Sequence, residues 1–233
     1  MQGFANCLAA LKAVAGPSTA EPAGNRPHQA EPVPGNGEDR GDGRDDDGPQ
    51  LMGPRAARQR ARVLILGHSF IFWAHKWAQD ADPGTQLGLG RWAMVEWLGQ
   101  WGMRRAQFLP MLREFLEGNP APDVLLLHFG GNNLVNQSGI SLSRQIVQDL
   151  AVVLSWCPGL VVIWSDITQR RVWRGAVKQN KVDRARRGVN AAVACFIAAG
   201  GGGCIPHNDI IFSLPQLFRG DSVHLSPRAH GTS

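Results

Sequence analysis

Two short segments, far apart in this 233-residue chain, hold residue types that together perform nucleophilic chemistry. Gly67-His68-Ser69 directly follows the apolar run Val63-Leu64-Ile65-Leu66, which puts a serine where a buried strand opens into a helix. Asp221-Ser222-Val223-His224 places a carboxylate and an imidazole close together near the C-terminus. A serine hydroxyl is a weak nucleophile until a base takes its proton, and an imidazole is an effective base only when a third group fixes its tautomer. Ser69, His224 and Asp221 are the types for nucleophile, base and base-orienter, occurring in the order Ser, Asp, His. That chemistry needs no metal or organic cofactor, and none is expected.

Such a set works only if secondary structure brings its members together. Arg62–Leu66 reads as a buried strand, and a second strand is expected near Met94–Leu98. Apolar residues at helical spacing predict helices over Arg104–Leu116, Ser141–Trp156 and Lys181–Ala199, the last stopped by Gly200–Gly203. Asp123–Phe129 and Gly159–Trp164 are further apolar strands, and Cys204–Pro206 a short final one. Continuously apolar strands alternating with helices predict a three-layer α/β/α sandwich around a parallel, flavodoxin-like sheet. Ligands bind at the carboxyl ends of such strands. Ser69 stands at one of these ends and Gly130-Gly131-Asn132-Asn133 at another. Glycine there lets backbone N–H groups approach a ligand, and an asparagine amide is a neutral donor suited to a developing oxyanion.

Composition divides the chain at about residue 60. Residues 1–60 form a Pro/Gly/Asp-rich tail, exemplified by Gly37-Glu38-Asp39-Arg40-Gly41-Asp42, and too little is apolar there to offset the entropy of ordering. This tail is expected to be disordered, leaving 61–233 as one folded domain. The first fifteen residues make a poor signal peptide, since Lys12 interrupts the apolar run, and no stretch is long enough for a membrane span. An intracellular, cytoplasmic location follows as an expectation. Cys7, Cys157, Cys195 and Cys204 show neither a C-x-x-C pair nor zinc-finger spacing, so reduced, buried thiols are expected. Net charge is +5, and much of the excess lies in Arg170, Arg171, Arg174, Lys178, Lys181, Arg184, Arg186 and Arg187. This segment reads as a solvated face, or as a contact surface for nucleic acid or anionic membrane. A Gly-x-Ser-x-Gly elbow is excluded because Ile71 takes the last position, and Gly88-x-Gly90 lacks both a preceding strand and a third glycine for a dinucleotide site. The eight tryptophans, including Trp92, Trp97 and Trp101, read as core and cleft lining.

Gly67-x-Ser69 after strand one, a glycine before the next clear strand, Gly130-x-Asn132 after that strand, and Asp221-x-x-His224 near the end resemble the four blocks of the SGNH/GDSL hydrolase family. The resemblance spans Arg62 to Leu225, and Gly-Gly-Asn-Asn-Leu with Arg-Gly-Asp-Ser-Val-His-Leu-Ser is also similar to the hydrolase-type domains of vertebrate retroelements. It implies a serine esterase that acts on a small-molecule or lipid ester through an acyl-enzyme. Ser69 would be the nucleophile, His224 the base and Asp221 its partner. The oxyanion hole would comprise the Ser69 N–H, the N–H of Gly102 (Gly99 the alternative) and the Asn132 amide. Two positions depart from the family pattern, with His68 and Asn133 where aspartates are usual. His68 reads as a second proton acceptor beside the nucleophile. The helix that usually closes the fold after the last block is expected to be missing, with His224 on a weakly anchored segment. The other reading of these departures is a catalytically impaired module that binds through its basic segment.

Overall fold

The structure, a computed structural model, describes residues 60–226. The expected disordered tail therefore lies outside the described residues, as does whatever follows Ser226. The strands are β1 (Ala61–Gly67), β2 (Ala93–Gly99), β3 (Val124–His128), β4 (Val161–Ser165) and β5 (Gly203–Ile205). Between them run α1 (Ser69–Asp80), α2 (Phe108–Gly118), α3 (Gly139–Trp156) and α4 (Gln179–Ala199). All strand pairs are parallel, in the order β2-β1-β3-β4-β5. This is the flavodoxin-like order, in which the chain reverses its winding direction between β1 and β3 and opens a crevice there.

Neighbouring strand residues point to opposite faces, and both faces are covered, which is why the strands read as unbroken apolar runs. Leu64, Leu66, Leu125, Leu127 and Trp164 join one core with Phe108 of α2, Ile146 of α3 and Val189 of α4. Val63, Ile65, Leu126 and Ile163 join the other with Ile71 of α1 and with Leu87 and Leu89 of the α1–β2 connection. The sandwich is thus uneven, with three helices on one face and α1 on the other.

Local chemistry sets the element ends. The Ser138 side chain accepts from the Ser141 N–H at 3.2 Å and caps α3, which stops before Pro158. Gly201 takes φ +76°, the left-handed conformation that ends α4 at small cost only in glycine. At the outer edge of β2, the Gln86 amide donates to the Val95 carbonyl at 3.0 Å and accepts from its N–H at 2.9 Å. Arg105 makes a bidentate pair with Asp149 of α3, at 2.6 and 2.5 Å, tying the start of α2 to its neighbour. Among the described residues no helix is long and apolar enough to cross a membrane. Cys157 is buried as expected, but Cys195 and Cys204 are exposed free thiols, because each lies on the outer side of its element.

Candidate active site

Register brings the site's segments to one edge. Gly67 aligns with Gly99 on one side and with His128 on the other, so β1, β2 and β3 end together. The strands come so close there that a Cβ on Gly67 would stand 2.2 Å from the His128 carbonyl oxygen. Ser69 is then the first residue of α1, 5 % exposed, at the crevice between β1 and β3. Its N–H is one of the donors that a helix start leaves without an intrahelical partner.

His68 caps that helix. Its Nδ1 accepts from the Phe70 N–H at 3.1 Å, so the ring proton sits on Nε2. Burial holds the imidazole well below its ordinary pKa, and the neighbouring Arg170 and His224 add to the effect. The neutral ring does the capping that an aspartate would do at this position. The expectation of a second proton acceptor is corrected accordingly, because the accepting nitrogen is already engaged.

The C-terminal segment closes over Ser69. His224 Nε2 lies 2.9 Å from Ser69 Oγ, and His224 Nδ1 donates to Asp221 Oδ2. Asp221 Oδ1 accepts from the backbone N–H groups of Val223 (3.0 Å) and His224 (2.9 Å). Burial pushes the Asp221 carboxyl up, but the His224 side chain and these two N–H groups outweigh it and hold the pKa at about 2. An ionised carboxylate only accepts, so Nδ1 carries the imidazole proton and Nε2 is free to accept from the serine hydroxyl. Trp101 lies against the His224 ring with centroids 5.0 Å apart.

The segment is well anchored, contrary to expectation. Phe218 and Leu225 form an antiparallel bridge, the Arg219 N–H donates to the His224 carbonyl at 2.7 Å, and the Arg219 guanidinium sits 3.8 Å from the Trp73 ring centroid. Arg174 adds a hydrogen bond to the Asp221 carbonyl at 3.1 Å. A hairpin-like turn and a cation–π contact hold it in place.

Asn132 follows β3. Its Oδ1 accepts from Arg170 Nη2 at 3.0 Å and its Nδ2 donates to the Met103 carbonyl at 3.0 Å. Arginine only donates and a carbonyl only accepts, so the amide orientation is unambiguous. Asn132 is thereby tied to the turn holding Gly102, whose φ is +68°. Neither Asn132 nor Gly102 is among the residues lining the cleft at Ser69. Gly99, the alternative, packs under α1, where a Cβ would meet the Phe72 nitrogen at 2.6 Å. Asn133 Oδ1 accepts from the Arg105 N–H at 3.0 Å, so a carboxamide suffices to hold the β3 loop to the start of α2.

The cleft beside Ser69 is shallow, with a cavity volume of only about 20 Å³, and its lining includes Phe70, Trp73, Thr168, Arg170 and His224. Arg170 is the residue that sequence reasoning misplaced. It belongs to no solvated patch: it is half-buried, its ring-stacking partner is Trp173 at 5.0 Å, and burial lowers its pKa to about 10. Arg186 is also buried, donating to the Ile167 carbonyl at 3.0 Å and to Asp183 at 2.8 Å. Of the expected contact surface, Arg171, Arg174, Lys178, Lys181, Arg184 and Arg187 are exposed. Only the helical period of α4, which puts Arg186 in line with Val182 and Val189, carried any sequence signal of this.

His128 and His207 are both buried under Phe70. His128 Nδ1 lies 2.9 Å from Ser165 Oγ and 3.2 Å from the Ser165 carbonyl, and Ser165 Oγ lies 2.7 Å from His207 Nε2. Among the described residues no group of three or more His, Cys, Asp or Glu side chains is placed to hold a metal ion.

No family model and no curated protein matches this sequence. Solved structures do match it. A GDSL-like lipase from Bacteroides thetaiotaomicron is 15 % identical with a TM-score of 0.54, over 73 % of this chain and 82 % of that one. A lipase/acylhydrolase from Enterococcus faecalis is 15 % identical with a TM-score of 0.53, over 74 % and 90 %. A member of the lipolytic G-D-S-L family from Veillonella parvula is 13 % identical with a TM-score of 0.55, over 72 % and 91 %. The described domain has the α/β fold of these GDSL-like hydrolases.

Proposed function

We propose that this chain is a serine hydrolase of carboxylic esters. The observation that carries the reading is the unbroken contact from Ser69 Oγ through the two ring nitrogens of His224 to Asp221. His224 Nε2 takes the hydroxyl proton as Ser69 Oγ attacks the ester carbonyl, and Asp221 stabilises the imidazolium that forms. The tetrahedral oxyanion is met by the Ser69 N–H; the Asn132 amide and the Gly102 N–H, the further donors that the resemblance implies, stand outside the cleft lining and would have to turn toward the bound ester to join it. Each such donor is worth about 10²–10³ in turnover. Collapse breaks the ester C–O bond, and His224 returns its proton to the departing alkoxide. Water, deprotonated by the same imidazole, then releases the acid from Ser69.

GDSL-like lipases and acylhydrolases sharing the fold support ester chemistry. The burial of Arg170 and Arg186 weakens the binding-module reading, since its basic surface loses two members. Hydrolysis of a short-chain nitrophenyl ester by wild type and by Ser69→Ala tests the assignment, together with labelling by a fluorophosphonate probe. Stoichiometric labelling lost in Ser69→Ala is expected, with a rate loss of at least about 10⁴-fold. Equal rates for the two proteins would remove the proposal.

A further inference from the structure

Arg170 is a cation without an anion. Among the described residues it makes no ion pair, and of its five donors only one Nη2–H meets a protein acceptor, Asn132 Oδ1 at 3.0 Å. The carboxylate whose charge it feels, Asp221, is committed to His224 and to two backbone N–H groups. Taking a guanidinium partly out of water without a counter-charge is costly, so the position is held by construction.

The construction is specific. A Cβ on Gly131 would stand 2.7 Å from Arg170 Nη2, so glycine leaves the space that the guanidinium fills. The loop that carries Arg170 is clamped from both sides by side-chain amides. Asn190 accepts from the Ile167 N–H at 2.9 Å and donates to its carbonyl at 3.1 Å. Gln179 does the same for Trp173, at 2.6 and 3.0 Å. Trp173, fixed in this way, is the ring on which the guanidinium rests. Arg170 lines the cleft together with Ser69 and His224.

We propose that Arg170 is a specificity-determining residue that binds a free carboxylate carried by the ester substrate, an inference that rests on the hydrolase reading of the same cleft. A planar guanidinium with unspent donors matches a carboxylate in geometry as well as charge. Burial, which lowers the Arg170 pKa to about 10, leaves it fully charged at neutral pH and strengthens its pull on an anion. The enzyme therefore favours half-esters of dicarboxylic acids, or esters of hydroxy acids, over neutral esters of equal size.

The test compares kcat/KM on 4-nitrophenyl acetate and 4-nitrophenyl hemisuccinate for wild type, Arg170→Met and Arg170→Lys. The preference for the hemisuccinate should fall about 10- to 100-fold in Arg170→Met, the worth of charge-assisted hydrogen bonds. Arg170→Lys should keep part of it, because the ammonium retains the charge and loses the fork. Taking the ratio of the two esters cancels any loss that both share through Asn132. The same preference in all three proteins overturns the proposal. A second measurement needs no turnover: calorimetric titration of the Ser69→Ala protein with succinate, with and without Arg170→Met. Binding should weaken by the same factor. Absence of succinate binding, or binding that survives Arg170→Met, also overturns it, as does inorganic phosphate binding more tightly than succinate. Arg170-dependent succinate binding in a protein that hydrolyses neither ester would remove the hydrolase reading and leave the carboxylate site standing.

Discussion

Acid should unfold this domain well before its carboxylates are titrated, because three imidazoles are buried in the neutral state. His68, His128 and His207 are 4 %, 0 % and 8 % exposed. Burial lowers the His207 pKa from 6.5 to about 4, only partly offset by Asp209, and it drives His128 and His68 well below their ordinary value. The Ser165 carbonyl only accepts, so His128 Nδ1 carries a proton, and Ser165 Oγ is left to donate to His207 Nε2. A second proton on His128 would have to enter at Nε2, which finds no acceptor, and one on His207 would have to enter at Nε2, where the Ser165 hydroxyl already donates.

The sign follows from linkage. Between about pH 4 and 6.5 the unfolded chain holds a proton on each of these histidines and the folded chain does not, so stability rises with pH across that window and is lost on acidification. For His207 the fall from 6.5 to about 4 is worth about 3 kcal/mol, at about 1.4 kcal/mol per unit. The three together set an upper slope of roughly 4 kcal/mol per pH unit, approached about one unit below pH 6.5 where the unfolded imidazoles are nearly fully protonated, against a total stability of about 5–15 kcal/mol for a typical domain. Asp221 acts lower: held at about pKa 2, it adds stability above its unfolded pKa of 3.8 that is lost only as pH falls towards 2. Urea unfolding between pH 7.5 and 4.5 measures the slope. His207→Asn, which keeps a polar partner for Ser165 Oγ, should reduce it by about one proton. Stability that is flat from pH 7 to 5, or a slope that His207→Asn leaves untouched, would refute the reasoning.

Asp221→Asn should lower kcat by about 10⁴ with little change in Tm, because a carboxamide oxygen still accepts from Val223 and His224 but no longer fixes the imidazole proton; steady-state ester hydrolysis and a thermal melt check both. Gly131→Ala displaces the flexible tip of Arg170 rather than backbone, so Tm should stay within a few degrees. Hydrolysis of a neutral ester should nonetheless drop about 10- to 100-fold as Asn132 loses its partner, and an unchanged rate would contradict the role given to that amide. Arg105→Ala leaves the Asp149 carboxylate, 4 % exposed, without its bidentate partner and should cost about 3–5 kcal/mol in urea unfolding.

The sequence made the frame legible because buried parallel strands announce themselves as apolar runs. Val63–Leu66 and Val124–Phe129 could be read directly, and their ends located Ser69 and Asn132 at one sheet edge. Ser69, Asp221 and His224 were expected to meet, and they do. Arg170 was not legible: a loop residue between other basic residues has no period, and its burial depends on Gly131, Asn190 and Gln179, all distant in sequence or on other elements. The roles of His68 and Asn133 were hidden for a related reason. Substituting imidazole or carboxamide for carboxylate changes the charge but leaves an acceptor in place, and only geometry reveals that the acceptor is what the fold uses.

The Gln86 amide at the edge of β2 has a consequence for how molecules of this protein meet one another. An edge strand offers unpaired N–H and C=O groups to any passing extended chain. At Val95 both of these groups are already taken by a side chain that imitates a neighbouring strand. The edge is capped in the middle of its length, so an invading peptide would have to displace two hydrogen bonds before forming its own. Replacing Gln86 with alanine removes that guard and exposes an apolar strand as a template for stacking, which turns a residue remote from all chemistry into a determinant of solubility.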